Sequence, residues 1–541
     1  MKSIARKVVL WCLILSLTLT GCAGMDLQGY WDQLLGIFSG VTPFQKIHYI
    51  RPDMEALDAQ LQSVCDLAAT ETDLDTLLDG IWNYYALYDD FNTPYALATI
   101  YYYKDLSNAQ WEEEYSFCLE NATAADAGLD QLYRALAASP LRDQLESEEY
   151  FGPGYFDYYQ GESIYDSVLL ALMEEEAQLL GQYYAVNAQA SDVDFYSPEY
   201  LDAYAADLAE IYIDLIALRQ EMAAHLGYEN YVQFAYDFYY YRDYTPQQVT
   251  SYLADIRSEL VPLYVDYLQG DFWETELPPA TEQETFAYLS SMAKAMGGQI
   301  GQAFSLLSRG SLYDISYSPN KYNVSFEIYL PSYLQPFIYM CPTGTVFDNL
   351  TFAHEFGHFC SDHLSYGSIA GVDVAEIFSQ GMEYLSLCYA DGGAALTELK
   401  LADCLCLYVE QAALASFEQQ VYGLTGEELT VENVQQLYSQ VCQAYGIAGE
   451  NWDSRNYVTI AHYYTNPMYI ISYVVSNDAA LQLYEMELAQ SGAGVACLER
   501  HLTTMQGQLL GFLAEAGLAS PFDAGRLTQV KQLLQQALQN K

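Results

Sequence analysis

Basic side chains are scarce in this chain: 20 Lys and Arg stand against 72 Asp and Glu over 541 residues, a formal charge of −52 at pH 7. A polyanion of this strength is excluded as a nucleic-acid binder on electrostatic grounds. Charged residues of both signs make up only 17% and apolar residues 52%, with 15% aromatic, so the chain lacks the polarity of a disordered acidic segment and can bury a large core. Prolines are few, 16 in all, and mostly sit at the edges of patterned segments. Repeats at a fixed period are absent, and composition excludes collagen, coiled coils and small disulfide scaffolds. After the first 22 residues no stretch offers the 18 or so uncharged apolar residues that a membrane span needs. Histidine is rare as well, seven in total, which gives any clustering of histidines weight.

The amino terminus has its own pattern. Lys2, Arg6 and Lys7 precede an apolar run from Val8 to Leu19, too short to span a bilayer and arranged like a bacterial secretion signal. It ends in Leu19-Thr20-Gly21-Cys22, which resembles a lipoprotein lipobox, where cleavage before the cysteine is followed by lipid attachment. The expectation is a signal peptide over 1–21, a lipid-anchored tether over 22–45, and a body held outside the bacterial cell membrane through lipid on Cys22. Of 11 cysteines, Cys12 would leave with the signal and Cys22 would carry lipid. The odd remainder cannot all pair, and Cys360, Cys388, Cys404 and Cys406 lie in apolar helical contexts, so buried free thiols are expected.

Beyond the tether, apolar residues recur at three- and four-residue spacing in segments 53–68, 125–138, 165–185, 198–226, 246–268, 282–307 and 525–540, the signature of amphipathic helices. Strand candidates fall between 312 and 342, where Ile328-Tyr329-Leu330 and Phe337-Ile338-Tyr339-Met340 are rich in β-branched and aromatic residues and bounded by prolines. The reading is a mostly α fold with a small β-sheet. An interruption at 190–200 divides it into an N-terminal helical domain, 46–195, and a second domain, 196–541. The 52 tyrosines are spread over the whole length, which favours half-buried helix faces over an aromatic ligand-binding lining. The Asn-x-Ser/Thr triplets at Asn121, Asn323 and Asn349 are chance matches in a chain with a bacterial signal.

Three of the seven histidines fall in Thr351-Phe-Ala-His354-Glu355-Phe-Gly-His358-Phe-Cys-Ser-Asp-His363. On a helix, about 400° of rotation separates His354 from His358, which puts both imidazoles on one face where they can share a zinc ion. Glu355 stands about 100° round, placed to deprotonate a water at that ion. His363 points elsewhere. A catalytic zinc needs a third protein ligand and an open position. Across a break containing Gly367 and Gly371 comes Asp373-Val-Ala-Glu376-Ile-Phe-Ser379-Gln380-Gly-Met-Glu383, patterned as a second helix, and packing it on the first supplies Glu376 as that ligand. Glu383, seven residues on and on nearly the same face, could hold a ligand histidine or form an ordinary buried ion pair.

The HEFGH helix followed by Asp373-x-x-Glu376-x-x-Ser379-x-x-Met382-Glu383 resembles the thimet oligopeptidase and oligopeptidase F family of zinc peptidases. His462-Tyr-Tyr-Thr-Asn-Pro467-Met-Tyr469-Ile-Ile-Ser-Tyr473 is similar to the family's late His and Tyr segment, in its oligopeptidase F branch, and Leu226-Gly-Tyr228-Glu-Asn230-Tyr231-x-x-Phe234 to an upstream segment. The resemblance implies a two-lobed helical zinc-peptidase fold with a deep substrate channel, one Zn2+ per chain, and short unfolded peptides as substrates. It also implies that His462, Tyr469 and Tyr473 donate hydrogen bonds to the scissile carbonyl oxygen as negative charge develops. The loop after His358 is shorter than in the thimet branch, Phe359-Cys360-Ser361 replaces residues often found there, and the family is mainly intracellular. These are departures from the pattern.

The expected activity is hydrolysis of internal peptide bonds by a zinc-activated water, with Glu355 as base. Phe337–Met340, just before the zinc helix, is a candidate for pairing with extended substrate or else a buried structural strand, and Gly344 would turn the chain into the helix. A zinc carboxypeptidase on a similar fold, or a peptide-binding lipoprotein with little catalysis, are the alternative readings.

Overall fold

The structure, a computed structural model, describes residues 41–147, 149–161, 163–189, 197–268, 277–367, 371–449, 452–504 and 507–538. The signal over 1–21, Cys22, most of the tether and most of the interruption at 190–200 lie outside the described residues.

Helix formation follows the apolar spacing and the caps. Helix α1 (Met54–Thr70) starts where the Asp53 side chain accepts the Ala56 N–H, and it buries Leu57, Leu61, Val64 and Ala68 on one face. Asp73 caps α2 (Leu74–Lys104) in the same way through Thr76, and Asn108 caps α3 (Ala109–Ala137), which is far longer than the 125–138 segment read from periodicity. Helix α2, about 46 Å long at 1.5 Å per residue, serves two cores. Its first half, Leu77 to Phe91, packs with α1 and α3 into a satellite core that ends at Phe156. Its second half, Ala96 to Tyr103, joins the main core. The main core also takes in α4 (Ser167–Gln189) and α5 (Pro198–His225).

Two long segments expected as single helices are broken. The 246–268 segment forms Pro246–Glu259 and Val261–Leu268, with Pro262 in the first turn of the second piece, where its missing N–H costs nothing. The 282–307 segment divides at Gly297, whose φ of 68° only glycine adopts readily. Tyrosine fills much of the core. Tyr212, Tyr457, Tyr463 and Tyr464 are fully buried; the Tyr463 and Tyr464 hydroxyls donate to the Leu414 and Leu208 carbonyls, the usual arrangement for a buried phenol, whereas those of Tyr212 and Tyr457 meet no protein partner among the described residues. The described cysteines are all free thiols and mostly buried, except that Cys388 is exposed, on the solvent side of its helix.

The sheet has three strands in the order β1-β3-β2. β1 (Tyr313–Asp314) runs parallel to β3 (Gln335–Met340), and β2 (Ser325–Leu330) pairs antiparallel with it in the register Glu327 to Ile338. Of the two readings of Phe337–Met340, this position favours the buried structural strand. β3 is the central strand, buried at every residue, between β1 and β2, and the edge strands among the described residues are β1 and β2. Gly344, at φ 77°, makes the turn toward the next helix as expected.

That helix, α6 (Phe347–Ser365), packs against α7 (Val372–Tyr389), and α7 against the late helix α10 (Ile471–Ala489). Between α7 and α10 the chain forms α8 (Thr397–Cys406) and the short α9 (Ala461–Thr465). Gly357 sets the α6–α7 spacing: a Cβ there would lie 2.5 Å from the Phe378 carbonyl oxygen and 2.6 Å from Ser379 Cα. Among the described residues no helix is long and apolar enough to cross a membrane.

Candidate active site and metal centre

Close packing of α6 on α7 brings together the three groups expected to hold zinc. Glu376 Oε2 lies 3.3 Å from His354 Nε2 and 3.7 Å from His358 Nε2, and one donor atom from each residue falls within 4.8 Å of the others. Ligands bonded to zinc at about 2.0–2.1 Å in a tetrahedral arrangement stand about 3.3 Å apart, so two histidines and a carboxylate at these separations are a donor set of the kind that zinc takes. His354 Nδ1 meets Glu383 Oε1 at 2.7 Å, which turns Nε2 toward Glu376. Glu383 is itself paired, through Oε2, with Lys400 Nζ at 2.7 Å, and Lys400 reaches Asp403 at 2.8 Å. Glu383 therefore takes both roles left open by the sequence: it holds a ligand histidine and it belongs to a buried ion pair.

The carboxylate of Glu376 is fixed at both oxygens. Ser379 Oγ donates to Oε2 at 2.8 Å and Tyr469 OH donates to Oε1 at 2.6 Å. Burial opposes its charge, but the two histidines and Tyr469 outweigh burial and hold its pKa down to about 2. Burial and the neighbouring His354 lower His358 to about 4, although Glu376 and Glu383 pull the other way. His354 is raised despite burial, by Glu376 and Glu383. The adjacent Glu355 is 5% exposed. Burial first, then Glu376 and Glu383, push its carboxyl up to about 7 against the opposing pull of His354 and the Glu327 main chain, a value suited to exchanging protons near neutral pH.

The late segment closes on the same point. His462 (α9), Tyr469 and Tyr473 (α10) form a triangle with ring centroids 5.3–5.7 Å apart. His462 Nε2 lies 3.2 Å from Tyr473 OH, and Tyr473 feels the charges of Glu376 and Glu355. Gln380 of α7 donates to the Tyr473 carbonyl at 3.1 Å. The two tyrosines are thus in different situations, Tyr469 on the candidate ligand and Tyr473 on His462. All seven residues singled out in the sequence stand at one site.

Sequence reasoning missed Lys400, which is fully buried. The one available signal was a basic residue in the amphipathic stretch Thr397-Glu398-Leu399-Lys400-Leu401, where bases are rare. It also missed Glu327 on β2, whose carboxyl is raised well above the ordinary range by burial and then by Asp362 and Glu355.

A paired-histidine helix, a carboxylate from the next helix and a late His and Tyr segment thus meet at one candidate metal centre in a helical body. Comparison with known proteins bears on the fold and on a peptidase reading. Residues 44–162 match the family model described as the Peptidase M3 N-terminal domain. Among solved structures, the chain is similar to one named oligoendopeptidase F, with 19% identity and a TM-score of 0.82 over 92% of this chain and 99% of that one. It is similar also to PZ peptidase A with an inhibitor, at 18%, 0.81, 92% and 99%, and to an oligoendopeptidase F from Bacillus anthracis str. Ames, at 18%, 0.79, 93% and 99%. At these identities the likeness establishes the fold. No curated protein matches in sequence. The fold is that of the oligoendopeptidase F structures, as the HEFGH and Asp373–Glu383 blocks implied, and the matched N-terminal domain supports a peptidase.

Proposed function

We propose that this chain is a zinc-dependent oligopeptidase that cuts internal bonds of short unfolded peptides and is held outside the cell membrane by lipid on Cys22. The observation that carries the reading is the convergence of His354, His358 and Glu376 on one point, with Glu355 beside it and His462 and Tyr473 facing it. A zinc ion held there by His354, His358 and Glu376 would supply Lewis-acid polarisation of the scissile carbonyl and a more acidic water. Glu355 takes the proton of the attacking water and passes it to the departing amine. His462 and Tyr473 donate hydrogen bonds toward the carbonyl oxygen as its charge grows. Tyr469 keeps Glu376 turned toward the histidines, and Glu383 does the same for His354. Hydrolysis then needs no covalent intermediate. The anchoring rests on the lipobox resemblance at Leu19–Cys22.

The test is a panel of internally quenched peptides of increasing length, with free and blocked C-termini, given to the full chain in detergent, with products located by mass spectrometry. Internal cleavage that is lost on chelation and in Glu355→Gln supports the proposal. Release of C-terminal residues from free but not blocked peptides would make it a carboxypeptidase. Zinc binding with no cleavage would leave a peptide-binding lipoprotein. Labelling with a radioactive fatty acid, present in the wild type and lost in Cys22→Ala, tests the anchor.

A further inference from the structure

The segment that carries Tyr469 and Tyr473 enters α10 through a turn its own sequence does not favour. Asn466, Pro467, Met468 and Tyr469 form a four-residue turn closed by the Tyr469 N–H donating to the Asn466 carbonyl at 3.1 Å. Met468, its third residue, has φ 67°. Turns with Pro second and a left-handed third residue call for Gly or Asn there, because a Cβ crowds the backbone at positive φ. Methionine stays in that conformation only if neighbouring groups hold it.

Two buried side chains do so from opposite ends of the residue. Glu418 Oε1 accepts the Met468 N–H at 2.7 Å. The Met468 carbonyl accepts from Arg242 Nη2 at 2.9 Å, and the same nitrogen reaches Ser472 Oγ at 2.9 Å. Glu418 is 1% exposed and Arg242 8%, so water does not compete for either bond. Arg242 in turn lies over the rings of Tyr236 and Tyr240, whose centroids are each 4.4 Å from its guanidinium carbon. Tyr240 OH adds a bond to the Pro467 carbonyl at 2.8 Å. Arg242 Nε also lies 3.6 Å from Asp373 Oδ2, at the start of the helix that carries Glu376. Arg242 thus ties the turn to that helix.

We propose that Arg242 and Glu418 are positioning residues that clamp the Met468 peptide in its left-handed turn, so that Tyr469 reaches Glu376 while Tyr473 reaches His462. The clamp deepens the proposed function and rests on the roles given there to Tyr469 and Tyr473. Neither residue touches substrate. Their effect passes through the turn, and a misplacement of the order of 1 Å at the site costs up to about a hundredfold in rate.

The test is a double-mutant cycle on the zinc-loaded full chain, combining Glu418→Ala with Tyr469→Phe and reading kcat, KM, zinc per chain and the thermal midpoint for each variant. Glu418→Ala is expected to lower kcat about ten- to a hundredfold with KM and zinc content held. The double variant should fall little below the worse single one. Met468→Gly, for which the turn is unstrained, should recover part of the kcat lost in Glu418→Ala. Losses that multiply in the double variant, or no recovery with Met468→Gly, would overturn the clamp while leaving the role of Tyr469 intact. A Tyr469→Phe enzyme with unchanged kcat and zinc content would instead remove the role of Tyr469 and the clamp with it. If Glu418→Ala fails to fold, Arg242→Lys, which keeps the charge opposite Asp373 but not the paired bonds, replaces it in the same cycle with the same expected and overturning results.

Discussion

His354 Nδ1 lies 2.7 Å from Glu383 Oε1, so one carboxylate decides which imidazole nitrogen of His354 on α6 is free to face Glu376. Glu383 keeps its charge despite burial because Lys400 sits 2.7 Å from its other oxygen. The geometry of the three candidate ligands therefore depends on residues that stand behind them.

Removing that support should weaken metal binding before it stops chemistry. Glu383→Gln is expected to lower zinc affinity about 10- to 100-fold, measured by competition with a chromogenic chelator. Unchanged affinity would show that the helix backbone alone orients His354.

Lys400→Met takes the lysine partner from the buried Glu383 carboxylate and leaves it, among the described residues, only its contact with His354. The expected loss is about 3–5 kcal/mol of unfolding free energy, read from urea denaturation of the metal-free protein. The double variant Lys400→Met with Glu383→Leu should be more stable than Lys400→Met alone, since it removes both charges.

Glu355→Gln should retain one zinc per chain and lose peptide cleavage by at least about a hundredfold, the usual weight of a general base. Chelation should abolish cleavage by the wild type, and added zinc should restore it. Glu355→Gln lacking zinc would instead place Glu355 in metal retention.

Gly357→Ala would set a Cβ 2.5 Å from the Phe378 carbonyl oxygen. Helices α6 and α7 must then separate, at a cost of about 1–3 kcal/mol, and Glu376 moves off the two histidines. Lower stability together with weaker zinc binding is expected, whereas lower stability with normal zinc binding would mean that the helices yield elsewhere.

Acid sensitivity should trace in part to Asp314. Burial disfavours its carboxylate, but Lys104 at 2.5 Å, the Ser316 hydroxyl and Lys321 at 3.1 Å outweigh burial and hold its pKa below the ordinary 3.8. A carboxyl with a depressed folded pKa adds stability above its unfolded value, and that stability is lost as pH falls toward the folded value. Denaturation measured from pH 6 down to pH 2.5 should show a steeper loss below about pH 4 in the wild type than in Asp314→Asn. Parallel curves would remove Asp314 from the account.

The grouping of histidines and carboxylates was legible because it is local. His354 and His358 share a face by helix geometry alone, Glu376 and Glu383 share one for the same reason, and Asp53, Asp73 and Asn108 mark helix starts by capping chemistry that acts over three residues. Helix breaks at Leu260 and Gly297 were missed because the apolar period runs on across them. Strand content near Phe337 was legible too, but a strand's pattern does not say which neighbours it has, and only the sheet order showed β3 to be central. The residues that hold the site in place come from other elements: Lys400 behind Glu383, Arg242 and Glu418 on Met468, and Tyr469 assigned to Glu376 while Tyr473 meets His462. Side chains 11 to 226 positions apart share no period, and only the packing of α6, α7 and α10, with the buried charges paired as they come together, decides which of them meet.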